Sequence, residues 1–411
     1  MTGDVLDQVT DEAGGLLDDV VALRRRIHEQ PELGLDLPQT QTAVLEALDG
    51  LPLRTTLGRS TTSVVAVLDG DEPGPTILLR GDMDALPMPE DTDLDFRSRV
   101  DGAMHACGHD AHTAMLAGAA RLLAGRRGQL RGRVAFMFQP GEEGDGGALH
   151  MLEEGLLETV SDGAEPVSMA FAIHQSPSIP SGLIACKGRS IMASADEFAI
   201  TVRGRGGHAS MPHQAGDPIP VAAEIITAIQ GMVTRRVDAF DPAVVTVAKL
   251  RAGTTTNVIP ETATMWGTIR AVSARTREAV MADLERVASG IASAHGATAE
   301  VELHPGYPVT VNDESAARFA LDTAAALLGP TLSVEIPQPV MGAEDWSYVL
   351  ERVPGAMAFL GTRPKGIAPQ DVAPNHSNRM VLDEDAMATG VAMYAAVALR
   401  WLDPSRATEP T

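Results

Sequence analysis

The sequence predicts an α/β protein: a large mixed-sheet domain with helices on both faces, interrupted by a smaller, ferredoxin-like α+β domain. Two observations carry this. The first half alternates Val-, Ile- and Leu-rich runs with helical patterns, and such alternation builds layered α/β domains. From about residue 190 the order becomes β-α-β-β-α-β, that of a ferredoxin-like unit. Residues 1–188 and 305–411 are therefore expected to form the large domain, and 189–304 the insertion. A chain of 411 residues also suits two cores better than one.

Taken in order, "LDDVVALRRRIHEQPELG" has helical apolar spacing and stops at Pro31, and "PQTQTAVLEALDGL" reads as a second helix. "TTSVVAVLDG", "PTILLRGDMD", "GRVAFMFQP" and "VSMAFAIHQ" suit strands buried on both faces of a mixed or parallel sheet. Between them "HTAMLAGAARLLAG" is helical, with Asp110 as its expected N-cap. In the insertion, "ADEFAITVRG", "AVVTVAKLRAG", "ETATMWGTIRAV" and "TAEVELHPG" read as strands. Its helices are "DPIPVAAEIITAIQGMV", capped by Asp217 with Pro218 at the first position, and "TREAVMADLERVASGIASAHG". "ESAARFALDTAAALLG" and "DEDAMATGVAMYAAVALRWL" return the chain to helices of the large domain.

A net charge of −23 argues against nucleic acid, whose phosphates need a cationic surface, and against an anionic membrane. Cys107 and Cys186 are too few for a disulfide framework and fit a reducing compartment. The N-terminus is acidic with no apolar run, and no apolar stretch reaches membrane-spanning length. The expectation is a cytoplasmic protein that binds neither nucleic acid nor membrane.

The chemistry concentrates where strands end. "TILLRG" runs into Asp82 and Asp84, "RVAFMFQP" into Glu142 and Glu143, and "SMAFAI" into His174. Open α/β sheets bind ligands at the carboxyl ends of their strands, so these groups point toward one edge. "DGAMHACGHDAHTAM" places His105, Cys107, His109 and His112 within eight positions. Gly108 lets the backbone bring Cys107 and His109 round one ion, and a thiolate with an imidazole suits zinc or another borderline metal. A Cys–His nucleophilic dyad is the rival reading, although groups two apart on a tight turn usually chelate. His105 and His112 are expected to support the site rather than to ligate. Cys186 and the remaining histidines that belong to no constellation, His28 among them, are expected to be packing or surface residues.

Taken together, "RGDMDALP", "MHACGHDAHTAM", "QPGEEG", "AIHQSPSIPSG", "GRGGHASMPH", "TTTNVIPE", "GTIR", "MGAEDWS" and "NHSNRM" resemble the zinc-dependent aminoacylase/carboxypeptidase superfamily. The branch is that of hippurate hydrolase and indoleacetyl-amino-acid hydrolase, and the match covers nearly the whole chain in the family's order. The resemblance implies two divalent ions per subunit (zinc, manganese, cobalt or nickel) held by Cys107, His109, Glu143, His174 and His376. It implies Glu142 as general base and hydrolysis of the amide of an N-acyl amino acid, with a carboxypeptidase or dipeptidase as the alternative. Asp82 stands where the wider superfamily has a metal-binding histidine, a change shared by this branch, and Asp84 would orient a ligand. The insertion would be a lid that also forms a homodimer. Its His208 would reach the partner's site and meet the oxyanion, with Asn257 and Arg270 on the substrate carboxylate.

Overall fold

A computed structural model describes residues 3–161 and 165–403. The chain divides into two compact units, one of 1–191, 311–337 and 348–411, the other of 192–310 and 338–347.

The larger unit is built on an eight-stranded mixed sheet. Its strand order is Arg54–Leu57, Val64–Asp69, Arg131–Gln139, Glu72–Asp82, Val167–Ser176, Gly355–Gly361, Ile184–Cys186 and Ser333–Glu335. The four central strands, from Arg131–Gln139 to Gly355–Gly361, run parallel, so their carboxyl ends share one edge. Successive residues such as Ile77, Leu78 and Leu79 are all buried, which requires that both faces be covered. That is why these strands read as unbroken apolar runs rather than alternating ones.

The helix His109–Gly125 is buried on nearly every side, and Ala and Gly let its neighbours approach closely. The last helix, Ala386–Trp401, packs against it. From that helix the Tyr394 hydroxyl donates to the Arg80 carbonyl (2.6 Å) and accepts from the Ile173 amide (3.1 Å). It thereby ties together two of the strands that lead to the polar edge.

One expectation fails here. Asp110 does not cap its helix, which starts at His109 after Gly108. The Asp110 carboxylate is instead buried and accepts from Arg24 Nε (3.0 Å) and His28 Nδ1 (2.8 Å). Two side-chain donors on the helix Leu17–His28 outcompete the local amides for a carboxylate with no access to water.

The smaller unit has an antiparallel sheet ordered Ala243–Ala252, Thr262–Ala271, Asp196–Arg203, Thr298–Pro305. The helices Pro218–Arg236 and Ala274–Ala294 complete its ferredoxin-like pattern. Phe198, Ile200, Val202, Val221, Ile225 and Leu284 share its core. Asp217 caps the first helix through the Ile219 amide (3.0 Å), with Pro218 next. Among the described residues no helix is long and apolar enough to cross a membrane.

Candidate metal centre

Each candidate side chain of the larger unit reaches the polar edge by a short route. Asp82 is the last residue of Glu72–Asp82, and Asp84 follows two positions on. Glu142 and Glu143 lie just past Arg131–Gln139, and His174 lies near the end of Val167–Ser176. Cys107 occupies the turn before the helix that His109 opens. His376 arrives from a long loop with φ of 66°, and its amide donates to the Ala106 carbonyl (2.9 Å).

These donors converge. Cys107 Sγ lies 3.4 Å from His174 Nε2. His376 Nε2 is 3.1 Å and His109 Nε2 is 3.9 Å from Glu143 Oε1. Cys107, His109 and His174 offer three atoms within 4.8 Å of one another, as do Cys107, Glu143 and His376. The two sets share one sulfur. A third set of the same compactness joins His109, Glu142 and Glu143.

The arrangement fits divalent ions on two grounds. His109 Nε2 and Glu143 Oε1 are buried among other ligand-type atoms, Asp82 Oδ2 at 3.4 Å from the first and His376 Nε2 at 3.1 Å from the second, a crowding of polar donors that a cation would hold together. The donors mix one sulfur, imidazole nitrogens and carboxylate oxygen, which selects borderline transition metals over the oxygen-seeking magnesium and calcium.

The surrounding hydrogen bonds orient the donors. The His174 Nδ1–H donates to the Gln175 carbonyl (2.7 Å), which leaves the Nε2 lone pair facing Cys107. Both nitrogens of His112 are engaged: Nε2 accepts from the Gln175 amide (2.7 Å), and Nδ1 donates to Asp82 (2.6 Å). Asp82 also pairs with Arg80 at 2.8 Å. Neither ring nitrogen of His112 is therefore without a protein partner. Asp84 accepts from the Glu142 and Glu143 amides (3.0 Å each) and lies 3.3 Å from His109 Nδ1, so it sets the glutamate turn and the ring together. Asp84→Asn is expected to weaken metal affinity about 10–100-fold with little change in melting temperature, measured by metal titration of the apoprotein. Wild-type affinity in that variant would remove the orienting role.

Electrostatics follows burial. Burial, with His112 nearby, pushes His174 down to about 3, so its ring is neutral and able to donate a lone pair. Burial raises the Cys107 thiol, opposed by His109. Burial disfavours charge on His109, but Asp82 and Cys107 hold it well above the usual imidazole range. Hydrogen bonds to Cys107 and Glu143 raise His376 to about 10. Protons thus occupy several donor atoms of the metal-free chain, and a cation must displace them.

His105 is buried with neither ring nitrogen bonded, and its ring centroid lies 6.1 Å from that of His28. His28, expected to be ordinary, is fully buried between Asp110 and Glu90, and the Asp110 charge lifts it against burial to about 9. Its two hydrogen-bond partners, Asp110 and Glu90, define this environment, and neither is near it in sequence.

In the smaller unit, His208 is exposed on a two-residue strand paired with Val258–Ile259. Its Nδ1 accepts from the Ser210 amide (3.1 Å), which places the ring proton on Nε2, facing away from that bond. Asn257 is adjacent, its carbonyl accepting from the Ala209 amide (3.1 Å). Arg270 belongs to a different sheet from His208. It lies opposite Val244 near the far end of Thr262–Ala271, roughly 26 Å along the strand from Thr262.

Sulfur, imidazole and carboxylate donors beside a second buried glutamate, at the carboxyl edge of an α/β sheet, define a metallohydrolase type of centre. The chain belongs to the peptidase family M20/M25/M40, which it matches over residues 78–400. It is 39% identical to thermostable carboxypeptidase 1 of Saccharolobus solfataricus, over 97% of this chain and 99% of that one. It is 38% identical to the N-acetylcysteine deacetylase of Bacillus subtilis, over 92% and 96%. It is 37% identical to the IAA-amino acid hydrolase ILR1-like 4 of Arabidopsis thaliana, over 94% and 86%. A solved Bacillus subtilis protein described as a dinuclear metal binding peptidase superposes with a TM-score of 0.81, at 35% identity over 94% and 99%. The chain is accordingly a metal-dependent hydrolase acting on amides.

Proposed function

We propose that this chain hydrolyses the amide bond of N-acyl amino acids, with Glu142 as general base. The observation that carries this reading is the pair of donor sets sharing Cys107, with Glu142 beside them and only 5% exposed. Cys107, His109, Glu143, His174 and His376 would hold two divalent ions of the zinc, manganese, cobalt or nickel kind. Such ions supply Lewis acidity at the amide carbonyl and acidify water.

The protein's own groups do the rest. Glu142, fixed through its backbone amide to Asp84, takes the proton of the attacking water and returns it to the leaving amine. His174 stays neutral, and Asp84 keeps the His109 ring aligned. His208 presents an Nε2–H that would donate to the oxyanion, and Asn257 and Arg270 would bind the carboxylate.

Strand length supports the use of two copies. An N-acyl amino acid is about two residues long and spans about 7 Å, far less than the roughly 26 Å of strand between Arg270 and Thr262, beyond which lies the Val258–Ile259 strand that pairs with His208. Two protomers would therefore share a site, as a homodimer. His208→Ala is expected to lower kcat while metal content is kept. Mixed dimers of that variant with Glu142→Gln should regain activity up to about a quarter of wild type, because one of their two sites is intact and half of random dimers are mixed. Mixed dimers with no recovery would refute sharing.

The substrate reading is tested by comparing hippurate and N-acetyl amino acids with dipeptides at saturating metal. Higher kcat/KM on the acyl amino acids is expected. Preference for dipeptides would favour the carboxypeptidase alternative suggested by the Saccharolobus relative.

A further inference from the structure

Gln175 sits next to His174 and is completely buried, and every polar group it owns is engaged around the metal centre. Its backbone fixes His112 and His174, as described above. Its side chain does something separate. The Nε2 group donates to the Cys107 carbonyl (2.6 Å) and to Asn375 Oδ1 (2.8 Å), while Oε1 accepts from Thr362 Oγ1 (2.7 Å). Asn375 Nδ2 points back to the Gln175 carbonyl (3.4 Å). One amide thus bridges the turn that carries Cys107, the end of the strand Gly355–Gly361, and the residue immediately before His376.

The fit is close on both sides. Gly108 has φ of 87°, and a Cβ there would lie 2.6 Å from Gln175 Cγ and Nε2, so the glycine makes room for this side chain. His376 needs such support. It adopts a left-handed backbone, lies on a loop, and its side chain is 56% exposed, unlike the buried Cys107 and His109. Besides its amide bond to Ala106, its side-chain contact with Cys107 and the packing of Met380 on Ala106, this loop is tied to the Cys107 turn through Asn375 and the Gln175 amide.

We propose that Gln175 is a positioning residue that clamps the Asn375–His376 segment onto the Cys107 turn, so that the ion held by Cys107, Glu143 and His376 depends on it more strongly than the ion held by Cys107, His109 and His174. This rests on the ligand reading given above. Only the primary amide can serve: it donates twice in one direction and accepts once in the other, which neither a carboxylate nor a thioether can do.

The test is calorimetric titration of the full-length apoprotein with zinc or cobalt, together with melting temperatures of the apo forms. Wild type is expected to show two binding events per chain. Gln175→Met should weaken one of them about 10–100-fold and leave the other within a few-fold. Asn375→Ala, at a half-buried loop position where folding is not at stake, should weaken the same event. In a His376→Ala background, Gln175→Met should add no further loss of affinity, because its effect runs through His376. Unchanged affinities in both single variants would overturn the clamp, as would equal weakening of both events in step with a lower melting temperature. Fewer than two ions bound by wild type would refute the ligand assignment itself, and the clamp with it.

Discussion

Glu142→Gln is expected to reduce kcat by about 10²–10⁴-fold while two metal ions per chain are retained. The substitution keeps the side-chain volume and leaves untouched the backbone amide that donates to Asp84, so the turn holding both glutamates stays in place. Only the capacity to accept a proton from water is removed. Glu143→Gln is the necessary control, because the two residues are adjacent and sequence spacing does not separate their roles. Glu143 Oε1 lies 3.1 Å from His376 Nε2 and shares a compact donor set with Cys107. Its loss should therefore appear first in metal affinity, and in rate only as a consequence at limiting metal. Kinetics at saturating metal, with metal content measured on the same samples, distinguishes the two. Near-wild-type turnover by Glu142→Gln would show that the base has been misassigned.

Much of this was legible in the sequence because the physics is local. Buried parallel strands need unbroken apolar runs, and "TILLRG", "RVAFMFQ" and "SMAFAI" supply them; the polar residue that ends each run is then delivered to the sheet edge. The Asp217–Pro218 helix start is equally local. What was not legible depends on contacts distant in sequence. The central strand Gly355–Gly361, "GAMAFLG", is rich in Gly and Ala, weak strand formers, and pairs with Val167–Ser176 and Ile184–Cys186, which flank it. Residues 338–347 cluster with the smaller unit without any compositional mark. Asp110 resembled a cap by position, but Arg24 and His28 recruited it.

The same division runs through the site. Cys107 and His109 announce themselves by spacing, whereas the tautomers of His112 and His174 are set by the Gln175 backbone, more than 60 residues away from the first of them. Residue types identify candidate donors, but strand register determines which nitrogen of each ring is free. Sequence reasoning therefore named a set of donors and passed over Gln175, whose only local signal was its place beside His174.

Cys107→Ala should abolish turnover and weaken both ions by more than the 10–100-fold typical of losing a supporting contact, because both donor sets contain this sulfur. That result alone would not separate a ligand from a nucleophile. Cys107→Asp does. A carboxylate can still ligate, so this variant should bind two ions, recover part of the activity, and shift its metal preference from zinc toward the harder manganese. A catalytic thiol would leave Cys107→Asp inactive with every metal, and the native enzyme indifferent to chelators but sensitive to alkylation. The structure opposes the thiol mechanism on electrostatic grounds. Nucleophilic cysteines have thiols that ionise easily in partly exposed surroundings, whereas Cys107 is buried and burial pushes its thiol upward. Burial of this kind is overcome by a cation bound to the sulfur itself, which deprotonates a coordinating thiol outright. Activity that is lost on chelation, restored by added metal, and partly retained in Cys107→Asp with manganese is the expected combination. An inactive Cys107→Asp that still binds two ions would reverse the assignment.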